Sequence, residues 1–248
     1  MRNTAVDIIV VNETGSTNNY ATRLLKEKNV PEGTLVLTFR QTQGRGQASN
    51  SWESGDNLNL TFSLILKPGF LPAPSQFLIS QAVSLGLVHY LDNLVQGVTI
   101  KWPNDILVSG KKLAGILIEH AVMGSRIAWS VAGIGLNVNQ MNYKEYVPRA
   151  VSLKMLTGME FDLHDVLNGI TDSILFWYER LQSEPHEKMQ QEYYRRLFRM
   201  GQWWTYRADG REFEARITGT DPYGRLLLEE RNGETMALPF KGVEMVWD

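Results

Sequence analysis

Four short polar stretches carry the side chains that could do chemistry. QTQGRGQASNSW, residues 41–52, sets the guanidinium of Arg45 between Gly44 and Gly46, in a run of small polar residues that ends on the indole of Trp52. An arginine and exposed N–H groups on a bendable loop can hold phosphate or carboxylate oxygens. Taken alone, the same stretch reads as a solvated connection between two strands. KWPND at 101–105 is sharper, because a strand running straight into a proline turn brings Lys101, Asn104 and Asp105 out at one edge. Turn-making through side chains accounts for the Asn-Asp pair, but not for the lysine or the tryptophan. Lys112 closes the following hairpin. Lysine in such a turn is usually solvent decoration, yet Ala114 and Gly115 directly after it permit close approach of a ligand. A strand-borne Gly-x-Gly-x-Asn ending at Asn137 completes the set. Together these groups suggest a site for a small acid and a nucleotide, with cations to neutralise a triphosphate and one carboxylate, Asp105, to help hold Mg²⁺.

Composition sets the bounds. The chain has 248 residues, 43% apolar and 21% charged, as in an ordinary globular protein. That length fits one large domain, or one domain and a small appendage. Cysteine is absent, which excludes disulfides, thiolate metal sites and a cysteine nucleophile, and fits a reducing compartment. A formal charge of −2 leaves no whole-chain footprint for nucleic acid. The opening MRNTAVDIIVVNETGS has too short an apolar stretch for a secretory leader, and no apolar run approaches the roughly 20 residues that cross a bilayer. The expected setting is the cytoplasm, with no membrane partner. Walker A, HExxH, GxSxG and EF-hand signatures are missing. His89, His120, His164 and His186 are scattered without ligand spacing.

The elements that must position these groups follow from period and punctuation. VDIIVVNE, TLVLTFRQ and NLNLTFSLIL read as strands. Between the first two, GSTNNYATRLLKEK opens a helix on the N-cap types Ser16 and Thr17, with Tyr20, Ala21, Leu24 and Leu25 on one stripe. Residues 75–95 are apolar almost all round, as in a buried helix. A β-meander is expected next: GVTIKW, a hairpin across Ser-Gly-Lys within ILVSGKKLAGILIEH, and RIAWSVAGIGLNVN. Helices return at 162–182 and 186–199. Arg195, Arg196 and Arg199 on the last of these read as a solvated face. After Gly201 short alternating strands are separated by Asp-Gly, Asp-Pro-Tyr-Gly and Asn-Gly turns. About five strands in so few residues suggest a small β-barrel, and the fold class is α+β with a boundary near residue 200.

Read together, the stretches resemble the biotin protein ligases, also called biotin–[acetyl-CoA-carboxylase] ligases. The matching pieces are STNNYA at 16–21, RQTQGRG at 40–46 followed by Trp52, KWPNDILV at 101–108, GKKLAGILIE at 110–119 and GIGLNVN at 133–139, in the family's order. The resemblance implies a class II synthetase-like catalytic domain, a mixed or antiparallel sheet with flanking helices over residues 1–200, and an SH3-like β-module over 201–248. It implies a two-step reaction. The carboxylate of biotin attacks the α-phosphate of ATP, giving biotinyl-5′-AMP and pyrophosphate. A lysine of a biotin carboxyl carrier domain, in a biotin-dependent carboxylase, then takes the acyl group and AMP leaves. Carried over by position, Ser16, Thr17, Asn18 and Gln41 resemble the partners of the biotin head. Gly44, Arg45, Gly46 and Gln47 resemble the loop over biotin and its adenylate, with Gly115 beside it. Lys112 resembles the catalytic lysine, supported by Asp105 and Arg45. Lys101 and Asp105 would serve the phosphates and Mg²⁺. Asn104 and Asn137 would orient the nucleotide, and Trp52 would pack on its adenine.

Two departures from the family pattern matter. Relatives commonly carry Gly-Arg-Gly-Arg and a further Gly-Arg before the tryptophan, where this chain reads GRGQASNSW. Gln47 brings no charge, so the closed loop is expected to hold the adenylate less tightly. Gln47→Arg should therefore slow escape of the intermediate, measured as release of biotinyl-AMP from the purified enzyme; equal rates for the two chains would remove this expectation. Some relatives also place a helix-turn-helix domain before the catalytic domain. Here the first expected strand begins within about ten residues, too few for a domain of about 50, and no DNA binding is expected. Rival readings are a lipoate or octanoate ligase of the same fold, whose Gly-rich run and His-Asp pair are not visible, and a non-catalytic biotin-binding regulator, which would be free to lose Lys112 or Asp105. An exposed strand edge could pair with a second copy or with the carrier. The β-module could support ATP binding or acceptor docking.

Overall fold

The computed structural model describes residues 7–47, 50–144 and 149–247. Seven strands form the main sheet: β1 (Ile8–Val10), β2 (Leu35–Thr38), β3 (Leu60–Leu66), β4 (Val98–Lys101), β5 (Asp105–Val108), β6 (Lys111–Met123) and β7 (Arg126–Leu136). Their order across the sheet is β1-β2-β3-β7-β6-β5-β4. Only β1 and β2 are parallel, because the chain crosses between them through helix α1 (Thr17–Glu27). The helices that follow are α2 (Phe77–Leu91), α3 (Leu153–Thr157), α4 (Leu163–Ser183) and α5 (His186–Arg196).

The two faces of this sheet are covered unequally. On one, Leu35, Leu37, Leu64, Ile106, Ala132 and Ile134 belong to one buried core with residues of α2 and α4. Helix α2 lies between the sheet, α4 and α5, which explains why its sequence is apolar all round. Gly86 lets α4 come close, since a Cβ there would stand 2.5 Å from Ile174 Cα. On the other face α1 covers Val36, Ile65 and Val131 with Ala21 and Leu24, joined by Val30 from the chain that follows it. The remainder of that face lies open, and it carries the polar stretches.

Five further strands, β8 (Trp203–Ala208), β9 (Arg211–Thr220), β10 (Leu226–Glu230), β11 (Thr235–Leu238) and β12 (Glu244–Met245), make an antiparallel sheet in the order β11-β10-β9-β8-β12. The architecture is thus the expected α+β class. Asp209 and Gly210 both take positive φ, 49° and 76°, as a tight hairpin turn requires. The strands are tied to the rest of the chain by Trp102, whose Nε1 donates to Gly224 O at 2.9 Å, and by Tyr194 of α5 against Thr220.

Some expectations shift. β1 is shorter than the run VDIIVVNE, and Val6 lies outside the described residues. α3, capped by the Ser152 hydroxyl that accepts from Met155 N, is not anticipated by periodicity because it is only five residues long. α5 ends at Arg196, and its arginines are not one solvated face. Arg195 is exposed and pairs within the helix with Glu192. Arg196 reaches Asp92 at 2.7 Å, and Arg199 lies over the rings of Phe198 and Trp204.

His120, on β6, points its Nδ1 at the buried Ser130 hydroxyl, 2.8 Å away. Burial lowers its pKa from the usual 6.5 to about 4. The folded chain therefore holds a neutral ring where the unfolded chain would take a proton. The stability this group supports is complete above pH 6.5 and is lost as pH falls toward about 4. The difference in melting temperature between wild type and His120→Asn should be constant above pH 7 and shrink below pH 6; a pH-independent difference would exclude this role.

Candidate active site

Strand register builds the floor of the open face. Side chains alternate along a strand, so residues directly paired across strands share a face. One such row runs Lys101–Asp105–Gly115–Gly135–Thr61–Thr38 across β4, β5, β6, β7, β3 and β2. The next row is Leu117–Gly133–Ser63–Val36. The glycines at 115, 133 and 135 therefore leave a trough without side chains between an ionic end and a hydroxyl-lined end. The cleft above it has a volume of about 290 Å³.

At the ionic end a bulge does the placing. Pairing of β5 with β6 shifts register between Ile106 and Leu107, which puts Lys112 on the same face as Gly115 although they are three positions apart. Lys112 Nζ lies 2.7 Å from Asp105 Oδ1, and Lys101 Nζ lies 3.8 Å from Asp105 Oδ2. One carboxylate thus sits between two ammonium groups, leaving a net positive centre. Asn104 Nδ2 donates to Ile116 O at 2.8 Å while Ile116 N donates to Asn104 O at 2.9 Å, fixing the turn after the cis Trp102–Pro103 peptide to the middle of β6.

The donor set does not fit a resident Mg²⁺ at Asp105. Both of its oxygens face ammonium groups, and no cluster of three or more His, Asp or Glu side chains that could hold a metal exists among the described residues. Any cation on a triphosphate would arrive with that substrate.

At the other end the start of α1 is tied to the sheet. Ser16 occupies the N-cap, but its hydroxyl makes no cap. Gln41 caps instead, its Oε1 accepting from Thr17 N at 2.9 Å. Ser63 Oγ stands 2.8 Å from Thr17 Oγ1 and donates to Asn18 Oδ1 at 2.6 Å. Asn18 Nδ2 donates to Leu117 O at 3.0 Å and to Glu119 Oε2 at 2.8 Å. All of these groups are neutral except Glu119, so this end suits a polar, uncharged ligand head.

Residues 41–47 and 50–52 lie over the trough. Arg45 bridges to Ser51, Gly46 N donates to Asn50 O at 2.7 Å, and Trp52 N donates to Gly44 O at 2.9 Å. Ala48 and Ser49 of the motif lie outside the described residues. Arg45 Nη2 donates to Glu119 Oε2 at 2.7 Å, so one carboxylate joins the flap to Asn18 and through it to the head pocket. The indole of Trp52 does not face outward. It lies on the glycine floor, where a Cβ on Gly135 would overlap it, with Lys112 Nζ 5.6 Å from the ring centroid. Its Nε1–H is buried with no partner among the described residues.

Most of the residues singled out from the sequence meet here: Ser16, Thr17, Asn18, Gln41, Arg45, Gly46, Gln47, Trp52, Lys101, Asn104, Asp105, Lys112 and Gly115 all line the cleft. Two do not. Gly44 lies behind the flap, packed against Trp52 O. Asn137 is 3% exposed, and its Nδ2 donates to Lys112 O at 3.3 Å and Val151 O at 3.1 Å. It holds the backbone of Lys112 rather than facing a nucleotide. Gly133 and Gly135 of the Gly-x-Gly-x-Asn stretch do lie at the cleft, whereas sequence reasoning missed Ser63 and Glu119; period-two alternation from Gly115 would have pointed to Glu119. Sequence reasoning also missed Lys241 and Val243, which reach the cleft from the second sheet.

A glycine-floored trough with a neutral hydrogen-bonding pocket at one end and lysines at the other has the chemistry to take an elongated acid beside a second anion. The chain belongs to the biotin/lipoate A/B protein ligase family, whose pattern matches residues 10–137. It is 36% identical over 160 residues to the bifunctional ligase/repressor BirA of Bacillus spizizenii, covering 63% of this chain and 48% of that protein. The chain thus spans about half the length of that relative. It is 27% identical over 221 residues to the biotin–[acetyl-CoA-carboxylase] ligase of Paracoccus denitrificans, covering 87% of this chain and 91% of that one. The fold matches the biotin protein ligase of Aquifex aeolicus in complex with biotin and ATP, with a TM-score of 0.80 and 24% identity over 98% of this chain and 99% of that one.

Proposed function

We propose that the protein is an ATP-dependent biotin ligase. The observation that carries this reading is the shape of the trough, which joins the Thr17–Ser63–Asn18 network to the Lys112–Asp105–Lys101 centre over a floor of glycines. Biotin has a neutral ureido ring at one end and a carboxylate at the other, joined by a chain that needs room and no partners. A ureido group buried here must have its N–H and C=O groups satisfied, which hydroxyls and an amide can do. The names of the relatives in Bacillus and Paracoccus support the same assignment.

In the first step a biotin carboxylate oxygen attacks the α-phosphorus of ATP, the bond to the β-phosphate oxygen breaks, and pyrophosphate leaves. Lys112 lies where the carboxylate and phosphorus would meet, and its charge opposes the negative charge that accumulates there. Asp105 holds that ammonium in place. Arg45, carried by the flap, would exchange Glu119 for the adenylate phosphate. A ligand spanning the trough must displace the Trp52 indole, so that ring would move aside, and its return would keep water from the mixed anhydride. In the second step the amine of an acceptor lysine attacks the acyl carbon, AMP leaves with the phosphate oxygen, and the amine's extra proton passes to solvent. The acceptor is a lysine of a biotin carboxyl carrier domain. It would dock on β6, which from Leu117 to Met123 has no strand on the side away from β7 among the described residues.

Exchange of labelled pyrophosphate into ATP, with biotin and octanoate supplied separately, tests this. Exchange with biotin alone is expected. Exchange with octanoate alone would move the chain to the lipoate branch of the family, and biotin binding without exchange would make it a regulator.

A further inference from the structure

The chain's penultimate residue returns to the ionic end of the cleft. Past β12, Val246 N donates to Thr205 O at 3.0 Å and Val246 O accepts from Trp204 Nε1 at 2.6 Å. These two bonds pin the segment to the second sheet and direct Trp247 out of it. Its indole lands on the main sheet and stacks on Phe198, with centroids 5.6 Å apart and planes 23° from parallel. The guanidinium carbon of Arg149 lies 4.3 Å from its ring centroid, and Lys101 Nζ lies 5.8 Å from it. The ring edge is 3.9 Å from where a Cβ on Gly110 would stand.

Three of these neighbours lead to the cleft. Lys101 is one of the two lysines on Asp105. Gly110 belongs to the hairpin turn that leads into Lys111 and Lys112. The carbonyl of Arg149 accepts from Lys112 N at 2.7 Å, and Val151 N donates to Lys112 O at 3.0 Å, so the backbone under Arg149 is the support for the backbone of Lys112. One indole therefore lies beside the side chain of one site lysine, under the side chain of Arg149 whose carbonyl holds the other, and next to the turn that leads into it. A lysine side chain is long and poorly restrained by itself. Here its ammonium is bounded by the Asp105 carboxylate on one side and the indole on another, an arrangement the ring quadrupole favours.

We propose that Trp247 is a positioning residue of the nucleotide site, through which the five-stranded sheet fixes Lys101 and the Lys112 turn for the phosphates of ATP. This rests on the ligase reading and gives the second sheet a part in the chemistry. The head pocket around Thr17 and Asn18 lies at the opposite end of the trough, so biotin affinity should not depend on this ring.

The test is calorimetric titration of the full chain with ATP and, separately, with biotin. Trp247→Leu keeps apolar bulk without the aromatic face, and Trp247→Phe keeps a smaller face. Trp247→Leu is expected to weaken ATP about tenfold, with Trp247→Phe recovering most of the loss and biotin affinity unchanged in both. Equal ATP affinity in Trp247→Leu and wild type overturns the inference. So does a parallel loss for both ligands, which would mark a merely structural role. Should the leucine variant not fold, Trp247→Phe is compared in the wild-type and Lys101→Met backgrounds. The phenylalanine should weaken ATP by a smaller factor in the Lys101→Met chain, where only the Lys112 turn remains to be held, and equal weakening in both overturns the inference. Wild-type chain that binds biotin but no ATP would remove the ligase reading itself, whereas ATP binding indifferent to residue 247 removes only this proposal.

Discussion

Lys112→Ala is expected to lower biotin-dependent pyrophosphate exchange by about 10²–10³-fold, the usual cost of deleting one preorganised partner of transition-state charge. The argument is local. Lys112 reaches the trough only because the β5–β6 bulge turns it onto the face of Gly115. There it neutralises one oxygen of Asp105 at 2.7 Å. Without it the carboxylate keeps only Lys101, at 3.8 Å, and a centre that attracts anions becomes nearly neutral. Two charged substrates then meet with little to offset their repulsion. Biotin binding should survive within a few-fold, because the head pocket depends on Thr17, Ser63 and Asn18 at the far end. Lys112→Arg should not restore the rate. Lys112 Nζ already sits 2.7 Å from Asp105 Oδ1 and 5.6 Å from the Trp52 ring centroid, and a longer side chain with a planar guanidinium would place its charge elsewhere. A mutant that exchanges pyrophosphate at the wild-type rate would remove Lys112 from the chemistry.

The positions of the chemistry-bearing stretches were readable in sequence because each sits at a strand end or a turn that residue types announce. Lys101, Asn104 and Asp105 emerge together since a strand meets a proline, and Lys112 follows a turn in which Ser109 and Gly110 take φ of 50° and 74°. What the sequence hid is what depends on register. Alternation from Gly115 would place Lys112 on the opposite face, and the bulge that reverses this has no residue signature here. Asn137 follows its glycines as a ligand-facing asparagine would, yet its amide is buried on the carbonyls of Lys112 and Val151, partners far apart in sequence. Trp102 looked superfluous to a turn. Its role is the bond to Gly224, a residue of the second sheet that no local pattern could connect to it. Arg196 and Arg199 looked solvated for the same reason, since Asp92 and Trp204 come from other elements.

Gly133→Ala is expected to abolish useful biotin affinity while leaving the fold intact, and it tests the other end of the trough. A Cβ at this position would occupy the place of Asn18 Oδ1. The asparagine cannot simply turn aside, because its Nδ2 is held by Leu117 O and Glu119 Oε2 and its Oδ1 receives the Ser63 hydroxyl at 2.6 Å. Moving it breaks at least the Ser63 bond, and with it the link to Thr17. Each buried polar group left without a partner costs about 1–3 kcal/mol, so biotin Kd should rise by about 10–100-fold or more. ATP affinity should be nearly unchanged, since Lys101, Asp105 and Lys112 do not share these bonds. Gly69→Ala is the matched control, for nothing lies within 4 Å of its Cβ position. Its melting temperature and biotin affinity should equal those of wild type. If Gly133→Ala binds biotin as tightly as that control, the Thr17–Ser63–Asn18 network is scaffold for the helix and the acid must be recognised elsewhere in the cleft. If it loses biotin and keeps ATP, the glycine is present because the head pocket leaves no room for even a methyl group.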